Sequence, residues 1–410
     1  MKPTIQFHHA DAVQWANDYK GELFHAALMD APYEMNFMGK GWDNSGVAFD
    51  PETWKAFAKV LHPGAFLFVF AGTINDDLIS VAMREAGLRK FHKMAGWVNG
   101  AGFPKASRLN HGHPLTEVFK GHRYGLQALK PAIEMVLIFQ KPYAGRPIDC
   151  ITATGAGCLN VDGGRIGTDE VKENESEFNA GYWQPDGGHG KRWNGNGTSH
   201  PQGRWPANFY IGDPEAARRL DAQSGESKSN ARNGGSGGSG LYKGKFGDGA
   251  VGGFTDSGGA SRFFLNVREQ IDEADPVRYV AKASRRERDA GLDGMPLREA
   301  SKMSGGEETR PDRLEKGMTN HPLMRNVHPT VKPLALTRYL ATLLLPPAEY
   351  APRRIFIPFS GVGSEAIGAM QAGWEFVQGV EITEEYLPIA QARADYWTEK
   401  QRQEQMVMPL

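Results

Sequence analysis

Residues 353–381 limit the fold more tightly than any other part of the chain. An apolar strand is followed by a turn containing Gly361 and Gly363, by a helical stretch at 365–372, and by a second apolar run that ends at Glu381. A glycine turn between a strand and a helix lets a ligand approach the backbone at the helix N-terminus. An acid 18 positions after Gly363 suits the hydroxyls of a ribose. The segment predicts an α/β fold with a site for a ribose-containing ligand.

A second short motif carries the chemistry. Asp30-Ala31-Pro32-Tyr33 directly follows an apolar run at 24–29 that predicts a buried strand. The Asp30 carboxylate and the Ala31 carbonyl can each accept a hydrogen bond from a planar amine. Pro32 fixes the turn through its locked φ, and the side chain of Tyr33 can stack on the ring that carries the amine. The motif predicts a site that holds an exocyclic amino group.

Together these segments resemble a known family. Asp-Ala-Pro-Tyr is similar to the Asp-Pro-Pro-Tyr motif of the DNA amino-methyltransferases, which methylate adenine N6 or cytosine N4. The second motif matches their Phe-x-Gly-x-Gly pattern and its following acid, the site for S-adenosylmethionine. The resemblance therefore implies this cofactor, and it assigns to its binding the residues Phe359, Ser360, Gly361, Gly363 and Glu381.

Two departures from the family pattern are visible. Ala31 replaces a proline but keeps the backbone carbonyl that the chemistry would use, and Ile357 replaces an aspartate that usually contacts the cofactor. A dinucleotide-dependent oxidoreductase is the competing interpretation of the glycine turn. That fingerprint would need a third glycine where this chain has Ala366.

Two further motifs extend the resemblance. Residues 328–333, His-Pro-Thr-Val-Lys-Pro, resemble the family's motif X, which implies that Lys332 lies beside the methionine part of the cofactor. Asp11 resembles the acid near the cofactor's adenine, although an acid after a short strand is also an ordinary helix cap. The catalytic motif precedes the cofactor motifs, which is the order of the circularly permuted beta group.

The expected fold class is α/β, a Rossmann-like S-adenosylmethionine-dependent methyltransferase fold, circularly permuted, with a large Gly-rich insertion for target recognition. The first 150 residues alternate strands and helices, the pattern of a parallel sheet. We expect residues 1–166 to form the catalytic half, residues 167–320 the insertion, and residues 321–410 the cofactor-binding half.

DNA contacts are expected in three places. The loop after the catalytic turn resembles the family's loop and holds Phe37, Lys40 and Trp42, which suit base flipping, although packing against the domain explains the aromatics equally well. Lys105 lies in a stretch that resembles phage and prophage members. Within the basic run 278–288, Arg285 and Arg286 could contact phosphates or simply end a solvated helix. The Gly-rich insertion carries weaker candidates for base stacking and phosphate contact: Trp183, His189, Lys191, Arg192, Trp193, Tyr242, Lys243 and Lys245.

Composition is compatible with such an enzyme without pointing to it. The chain has 410 residues, a formal net charge of −1 and two cysteines, Cys150 and Cys158, too few for a disulfide framework or a zinc site. The proposed chemistry needs no metal. Neither a spanning apolar segment nor a signal peptide is evident, so the expected location is the cytoplasm of a bacterium or a phage-infected host.

The sequence thus predicts methylation of adenine N6 in duplex DNA by base flipping and direct transfer. Asp at the first position of the catalytic motif favours adenine over cytosine N4, the first alternative. A catalytically weakened DNA-binding protein of the same fold is the second alternative, and methylation of RNA is the third. A homodimer and a cognate restriction endonuclease are compatible with the resemblance, but no residue indicates either.

Overall fold

The structure is a computed structural model. It describes residues 3–34, 45–90, 95–98, 105–109, 113–166, 203–212, 214–228, 257–266, 283–299, 323–326 and 328–407. The chain divides into two compact units. The first contains residues 1–160, 208–214 and 267–410, and the second contains residues 161–207 and 215–266.

The first unit is built on one large sheet. Its strands, in spatial order, are β1 (Thr4–His9), β16 (Phe376–Glu381), β15 (Arg354–Pro358), β2 (Phe24–Asp30), β3 (Leu61–Ala71), β8 (Ile133–Gln140), β5 (Ala95–Val98) and β9 (Phe209–Ile211). A further short strand, β4 (Arg89–Lys90), also pairs with β8. The central strands are apolar and buried because helices cover the sheet.

The helices of the described residues begin and end where local chemistry favours it. Asp50 caps α2 by accepting a hydrogen bond from the amide of Glu52, and Pro51 occupies its first position. The helices are α1 (Ala12–Asp18), α2 (Pro51–Lys59), α3 (Asp76–Glu85), α4 (Pro147–Thr154), α5 (Pro214–Ser224), α6 (Arg285–Asp289), α7 (Leu334–Leu344), α8 (Ser364–Ala372) and α9 (Leu387–Val407). No helix in these ranges is long and apolar enough to cross a membrane.

Three small antiparallel pairs accompany the main sheet. In the first unit, β6 (Lys105–Ser107) pairs with β7 (Tyr124–Gln127), and β13 (Arg298–Glu299) pairs with β14 (Leu323–Met324). In the second unit, β10 (Ser227–Lys228) pairs with β11 (Ser257–Gly258). The second unit also contains β12 (Leu265–Asn266), and the carboxylate of Asp221 there accepts hydrogen bonds from the amide and the hydroxyl of Ser261.

The predicted α/β fold is confirmed, but the expectation of a parallel sheet is wrong in one part. β1, β16, β15, β2 and β3 are mutually parallel, whereas β8 runs antiparallel to both β3 and β5. The reason is the connection between β5 and β8. Its described residues contain the β6–β7 pair and no crossover helix, and the chain returns along the sheet in the opposite direction.

Both ends of the chain contribute to this sheet. The C-terminal strands β15 and β16 lie between the N-terminal strands β1 and β2. The ring of Phe24 on β2 stacks against Phe356 on β15 with centroids 5.4 Å apart, and Trp15 of α1 stacks on the same phenylalanine at 5.2 Å. The division at residues 166 and 320 stays a prediction, as does the circular permutation.

Candidate active site

The predicted motifs meet at one edge of the sheet. Asp30 ends β2, Pro358 ends β15 and Glu381 ends β16. These three strands are parallel, so their carboxyl ends face the same side. In open α/β sheets this edge is where ligands bind. The fold therefore brings together two motifs that are more than 300 residues apart in the chain.

The glycine turn has the backbone that its sequence predicts. Gly361 and Gly363 have φ values of +50° and +82°, and Gly363 directly precedes the first residue of α8. A side chain is disfavoured at both angles. Phe359 also has a positive φ, +58°, which is uncommon for a bulky residue and marks local strain. Its ring packs edge-on against Phe57, which holds it in place.

Glu381 is tied to the same turn. One carboxylate oxygen, Oε2, accepts a hydrogen bond from the amide of Gly361 at 2.8 Å, and Oε1 accepts one from the amide of Thr383 at 2.8 Å. A carboxylate oxygen can accept a further bond, so Glu381 retains capacity for a ribose hydroxyl. The pairing of Glu381 with the glycine turn fixes the distance between the two strand ends.

The residues present fit the S-adenosylmethionine that the resemblance implies. The hydroxyl oxygen of Ser360 is buried in the glycine turn and has no hydrogen-bond partner among the described residues. An unpartnered buried polar atom is costly, and a polar ligand would satisfy it. Ile357 is fully buried in the sheet, so the cofactor contact that the family's aspartate makes has no counterpart there.

Asp11 occupies the cap position that the sequence left open. Its Oδ1 accepts hydrogen bonds from the amides of Val13 and Gln14, both at 2.9 Å, at the start of α1. It lies two residues beyond His9, which pairs with Glu381 in the sheet. Asp11 is thus at the same edge as the glycine turn, and its role toward the cofactor stays a prediction.

Asp30 lies in a cluster of charged groups. Its Oδ2 accepts a hydrogen bond from the ammonium of Lys332 at 2.6 Å. Its Oδ1 is buried, and no described residue donates a hydrogen bond to it. The Lys332 ammonium is also 3.6 Å from the carboxylate of Glu134 and 5.3 Å from the ring centroid of Tyr33. The sequence predicted Lys332 beside the cofactor, and the structure puts its ammonium on the carboxylate of Asp30.

Burial and charge oppose each other in this cluster. Burial raises the pKa of Asp30, and the adjacent ammonium of Lys332 counteracts that rise. Burial would lower the pKa of Lys332, but the carboxylates of Asp30 and Glu134 raise it above its ordinary value. The charge of Lys332 therefore favours the ionised form of Asp30 in a place where burial favours the neutral acid.

The rest of the catalytic motif is held firmly. Ala31 and Pro32 are buried. The Tyr33 hydroxyl donates to Oε2 of Glu134 at 3.0 Å, and burial raises the pKa of that hydroxyl well above its usual range. The side-chain amide of Asn75 donates to the Tyr33 carbonyl at 2.8 Å. The turn is thus fixed by side chains from β8 and from the start of α3.

Three residues near the site were not predicted from the sequence. Glu134 on β8 and Asn75 before α3 become visible only through the fold. Glu365, in the first turn of α8, is buried, and burial together with the negative charge of Asp30 raises its pKa to about 7. The one available signal was the acid directly after the glycine turn.

The structure describes only some of the residues that were predicted to contact DNA. Phe37, Lys40 and Trp42 lie outside the described residues, and Lys105 begins β6 with its backbone alone described. Arg285 and Arg286 are exposed on α6, where the Arg285 guanidinium donates to the carbonyl of Leu323. Their contact with DNA stays a prediction. The candidates at 183–193 and 242–245 also lie outside the described residues.

Comparison with known proteins gives one family. The family model described as DNA methylase matches residues 24–392. Among curated proteins there is no match.

Several solved structures are similar. PvuII DNA methyltransferase (cytosine-N4-specific) is 12% identical, with 97% of this chain and 93% of that chain covered and a TM-score of 0.45. The M1.HpyAVI–SAM complex is 13% identical, covering 96% and 100%, with a TM-score of 0.37. TTHA0409 from Thermus thermophilus, complexed with S-adenosyl-L-methionine, is 12% identical, covering 96% and 95%, with a TM-score of 0.38. Similarity at this level carries no argument about chemistry.

Proposed function

The chain belongs to the DNA methylase family of N6-adenine and N4-cytosine methyltransferases, and from that membership we propose that it methylates the exocyclic N6 of adenine in duplex DNA. The family makes the protein a DNA methyltransferase acting on an exocyclic amine. The choice of adenine rests on Asp30, since the corresponding position in cytosine-N4 enzymes more usually carries serine. The predicted beta-group and phage-type relationship, the homodimer, the endonuclease partner and the cytoplasmic location stay predictions.

S-adenosylmethionine is the methyl donor, and its sulfonium makes the methyl group electrophilic. The residues proposed to hold it surround the glycine turn and are Asp11, Lys332, Phe359, Ser360, Gly361, Gly363 and Glu381. The unpartnered hydroxyl of Ser360 and the carboxylate of Glu381 supply polar contacts there. The positive φ angles of the two glycines give the turn a backbone shape that other residues avoid.

The observation that most supports the proposed chemistry is that the two carboxylate oxygens of Asp30 have different hydrogen-bonding environments. Oδ2 is held by Lys332, while Oδ1 is buried and accepts no hydrogen bond from the described residues. An unsatisfied buried acceptor is a cost that native proteins seldom bear without a reason. An exocyclic amine, which carries two N–H donors, would satisfy it. Asp30 is therefore proposed to hold one amine hydrogen through Oδ1, with the Ala31 carbonyl holding the other.

This contact addresses the weak nucleophilicity of the amine. The nitrogen lone pair of adenine N6 is delocalised into the ring. Two acceptors that pull both hydrogens to one side favour a tetrahedral nitrogen whose lone pair faces the methyl group. The gain comes from orientation and from a fixed negative charge near the positive charge that develops on nitrogen.

The proton balance follows from the same pair. As the nitrogen gains a methyl group, the bond between that carbon and the sulfonium breaks and leaves a neutral thioether, and the nitrogen loses one proton, which Oδ1 of Asp30 is proposed to accept. Burial raises the pKa of Asp30, so the carboxylate is a better base than an exposed aspartate. Lys332 keeps that base ionised before the reaction. No covalent enzyme intermediate is required.

Tyr33 is proposed to position the base. Its hydroxyl is bound to Glu134, and its main-chain carbonyl is bound to Asn75. Both bonds restrict the ring, so that one face can stack on the flipped base. Glu134 is then a positioning residue, because it acts on the base only through Tyr33 and Lys332.

The test is to incubate the purified protein with S-adenosylmethionine and unmethylated genomic DNA, then to digest the DNA and analyse the nucleosides by mass spectrometry. N6-methyladenine is the expected product, and the variant Asp30→Ala should form none. N4-methylcytosine would overturn the choice of base. Neither product, with cofactor binding confirmed by calorimetry, would overturn the proposed function. A parallel reaction on RNA of matched sequence should yield no methylated base.

A further inference from the structure

The connection between β5 and β8 forms an arm that the catalytic chemistry does not use. We define the β6–β7 arm as the described residues 105–109 and 113–132. It contains the antiparallel strands β6 and β7 and a turn at 114–121 between them. Its described side chains are mostly exposed, and the core of the first unit does not include them. Packing in the core therefore does not explain why the chain contains this exposed arm.

The arm starts and ends beside the proposed active site. β5 runs antiparallel to β8, and β8 runs antiparallel to β3, so β5 points in the same direction as β2. The end of β5 and the start of β8 therefore lie at the sheet edge where β2 ends at Asp30. Glu134, the second residue of β8, contacts both the Tyr33 hydroxyl and the Lys332 ammonium. The base of the arm thus adjoins the catalytic motif.

The arm is strongly basic. It carries five Lys or Arg residues against one acid, Glu117, in a chain whose formal net charge is −1. The bases with described side chains, all exposed, are Arg108, Lys120, Arg123 and Lys130. Lys120 lies 3.5 Å from Glu117, and both side chains are exposed to solvent. Such an ion pair contributes little to stability, so Lys120 can exchange Glu117 for a phosphate at little cost. Positive charge concentrated in this way favours a polyanionic partner.

The turn of the arm also exposes apolar side chains. Val118 is 68% exposed, Phe119 is 45% exposed and Leu115 is 46% exposed. On β7, Tyr124 is 60% exposed. Large apolar side chains exposed close together in the sequence favour an interaction site. Apolar side chains flanked by bases are what proteins insert between base steps when they bend or open a duplex, while the basic residues contact phosphates.

We propose that the β6–β7 arm binds the duplex beside the target base, with Lys120 and Arg123 on backbone phosphates and Phe119 inserted against the bases. This inference rests on the proposed function, because it takes DNA as the substrate. Its position explains how a protein of near-zero net charge concentrates positive charge where the base must leave the helix. It also proposes DNA contacts by residues outside the predicted loop at 35–49.

The first test concerns the phosphate contacts. The double variant Lys120→Gln/Arg123→Gln is compared with wild type for binding to an unmethylated, fluorescently labelled duplex between about 50 and 200 mM salt. We expect at least roughly a tenfold loss of affinity at about 100 mM salt, and a decrease of about 2 in the slope of log K against log salt concentration, since each phosphate contact contributes about 0.9.

A matched control removes the same charge elsewhere. Lys20 and Lys59 precede β2 and β3, at the opposite edge of the sheet, and Lys59 bonds only to the side chain of Asn17 among the contacts described. Lys20→Gln/Lys59→Gln should change the affinity by less than about threefold. Equal losses in both double variants would overturn the arm's role and indicate a general charge effect.

The second test concerns the inserted ring. Phe119→Ala should leave the salt slope unchanged and lower methylation of genomic DNA at saturating DNA about tenfold. Calorimetry of S-adenosylmethionine binding checks that each variant remains folded. If Phe119→Ala dissociates an oligomer in size-exclusion chromatography and binds DNA as wild type does, the apolar turn is a protein interface and the proposal is overturned.

The outcomes separate this inference from the proposed function. If wild type binds DNA without methylating it, the proposed function is overturned. The comparison of DNA affinities still shows whether the arm binds DNA. If wild type methylates DNA and Lys120→Gln/Arg123→Gln binds DNA as tightly as wild type does, the proposed DNA binding by the arm is overturned and the proposed function stands. Absence of DNA binding by wild type would overturn both.

Discussion

At the scale of single residues, Asp30 illustrates how burial and charge are balanced at the proposed site. A buried carboxylate normally favours its neutral form. The Lys332 ammonium at 2.6 Å opposes that tendency. The side chains are 4% exposed for Lys332 and 14% exposed for Asp30, so water screens their attraction little. Among the side chains that act on the pKa of Asp30, Lys332 has the largest effect, and a substitution can remove it.

Lys332→Met should move the pH dependence of methylation upward. Without the ammonium, the largest opposition to burial is lost and the pKa of Asp30 rises further, so the ionised form is reached only at higher pH. We expect kcat at pH 7 to fall by about 10- to 100-fold and to recover in part toward pH 9. The measurement is a pH–rate profile from single-turnover methylation. Weaker cofactor binding with an unchanged profile would show that Lys332 serves the cofactor alone.

Tyr33 should be tested by two substitutions that separate its ring from its hydroxyl. Tyr33→Ala removes the stacking surface, which is worth about 1–3 kcal/mol per base, and should raise KM for DNA by at least about tenfold. Tyr33→Phe keeps the ring and removes only the bond to Glu134, so we expect a loss of about threefold. Equal effects of the two variants would contradict the stacking role.

At the scale of elements, the glycine turn before α8 depends on backbone angles that other residues avoid. Gly363→Ala should lower the free energy of unfolding by about 1 kcal/mol and weaken S-adenosylmethionine binding at least about tenfold. An added Cβ would lie 3.1 Å from the ring of Phe7 and shift the turn. Calorimetry and thermal unfolding measure the two effects.

Gly87→Ala is the matched control for that variant. Gly87 has a φ of +88°, and an added Cβ there meets no atom within 4 Å. It should therefore show a similar loss of stability and unchanged cofactor binding. Retention of wild-type cofactor affinity by Gly363→Ala would remove the turn from the cofactor site.

Glu365, in the first turn of α8, makes a contribution to the free energy of unfolding that depends on pH. The pKa of Glu365 rises from 4.5 to about 7 in the folded state, so the folded protein binds a proton that the unfolded chain has released between these values. Stability contributed by this proton is present below pH 4.5 and is lost as the pH rises through 7. Glu365→Gln should thus gain stability relative to wild type from pH 5 to pH 8, by up to about 3 kcal/mol. Chemical denaturation at both pH values measures it.

An exposed acid provides the comparison for Glu365→Gln. Glu349 lies on the surface before β15, and Glu349→Gln should show no change in relative stability between pH 5 and pH 8. If the stability of Glu365→Gln relative to wild type were also the same at pH 5 and pH 8, the buried acid would not bind a proton in this range.

Several elements of the site could be predicted from the sequence because their signals are local. The glycine turn, the strand before Asp30, the cap at Asp50 and the helix after Pro333 all follow from neighbouring residues. The bond of Lys332 to Asp30 spans 302 residues, and that of Tyr33 to Glu134 spans 101. No periodicity or motif marks such pairs. The antiparallel direction of β8 was missed for the same reason.

At the scale of the whole molecule, the order of the strands explains why the catalytic motif and the cofactor motif form one site. β15 and β16, from the C-terminal part, are inserted between β1 and β2. Asp30 and the glycine turn thereby share one sheet edge without a domain interface between them. The predicted permuted order of motifs is compatible with this sheet, and the division of the chain at residues 166 and 320 awaits a direct test.

The central claim is that Asp30 holds the target amine through Oδ1, the carboxylate oxygen to which no described residue donates a hydrogen bond. The most direct test is single-turnover methyl transfer to unmethylated duplex DNA by wild type and Asp30→Asn, with cofactor affinity measured by calorimetry on the same preparations. We expect a loss of at least about 10²–10³-fold in rate, because the substituted group presents at most one neutral acceptor, with cofactor affinity within about threefold of wild type. A rate for Asp30→Asn within about threefold of wild type would contradict the claim.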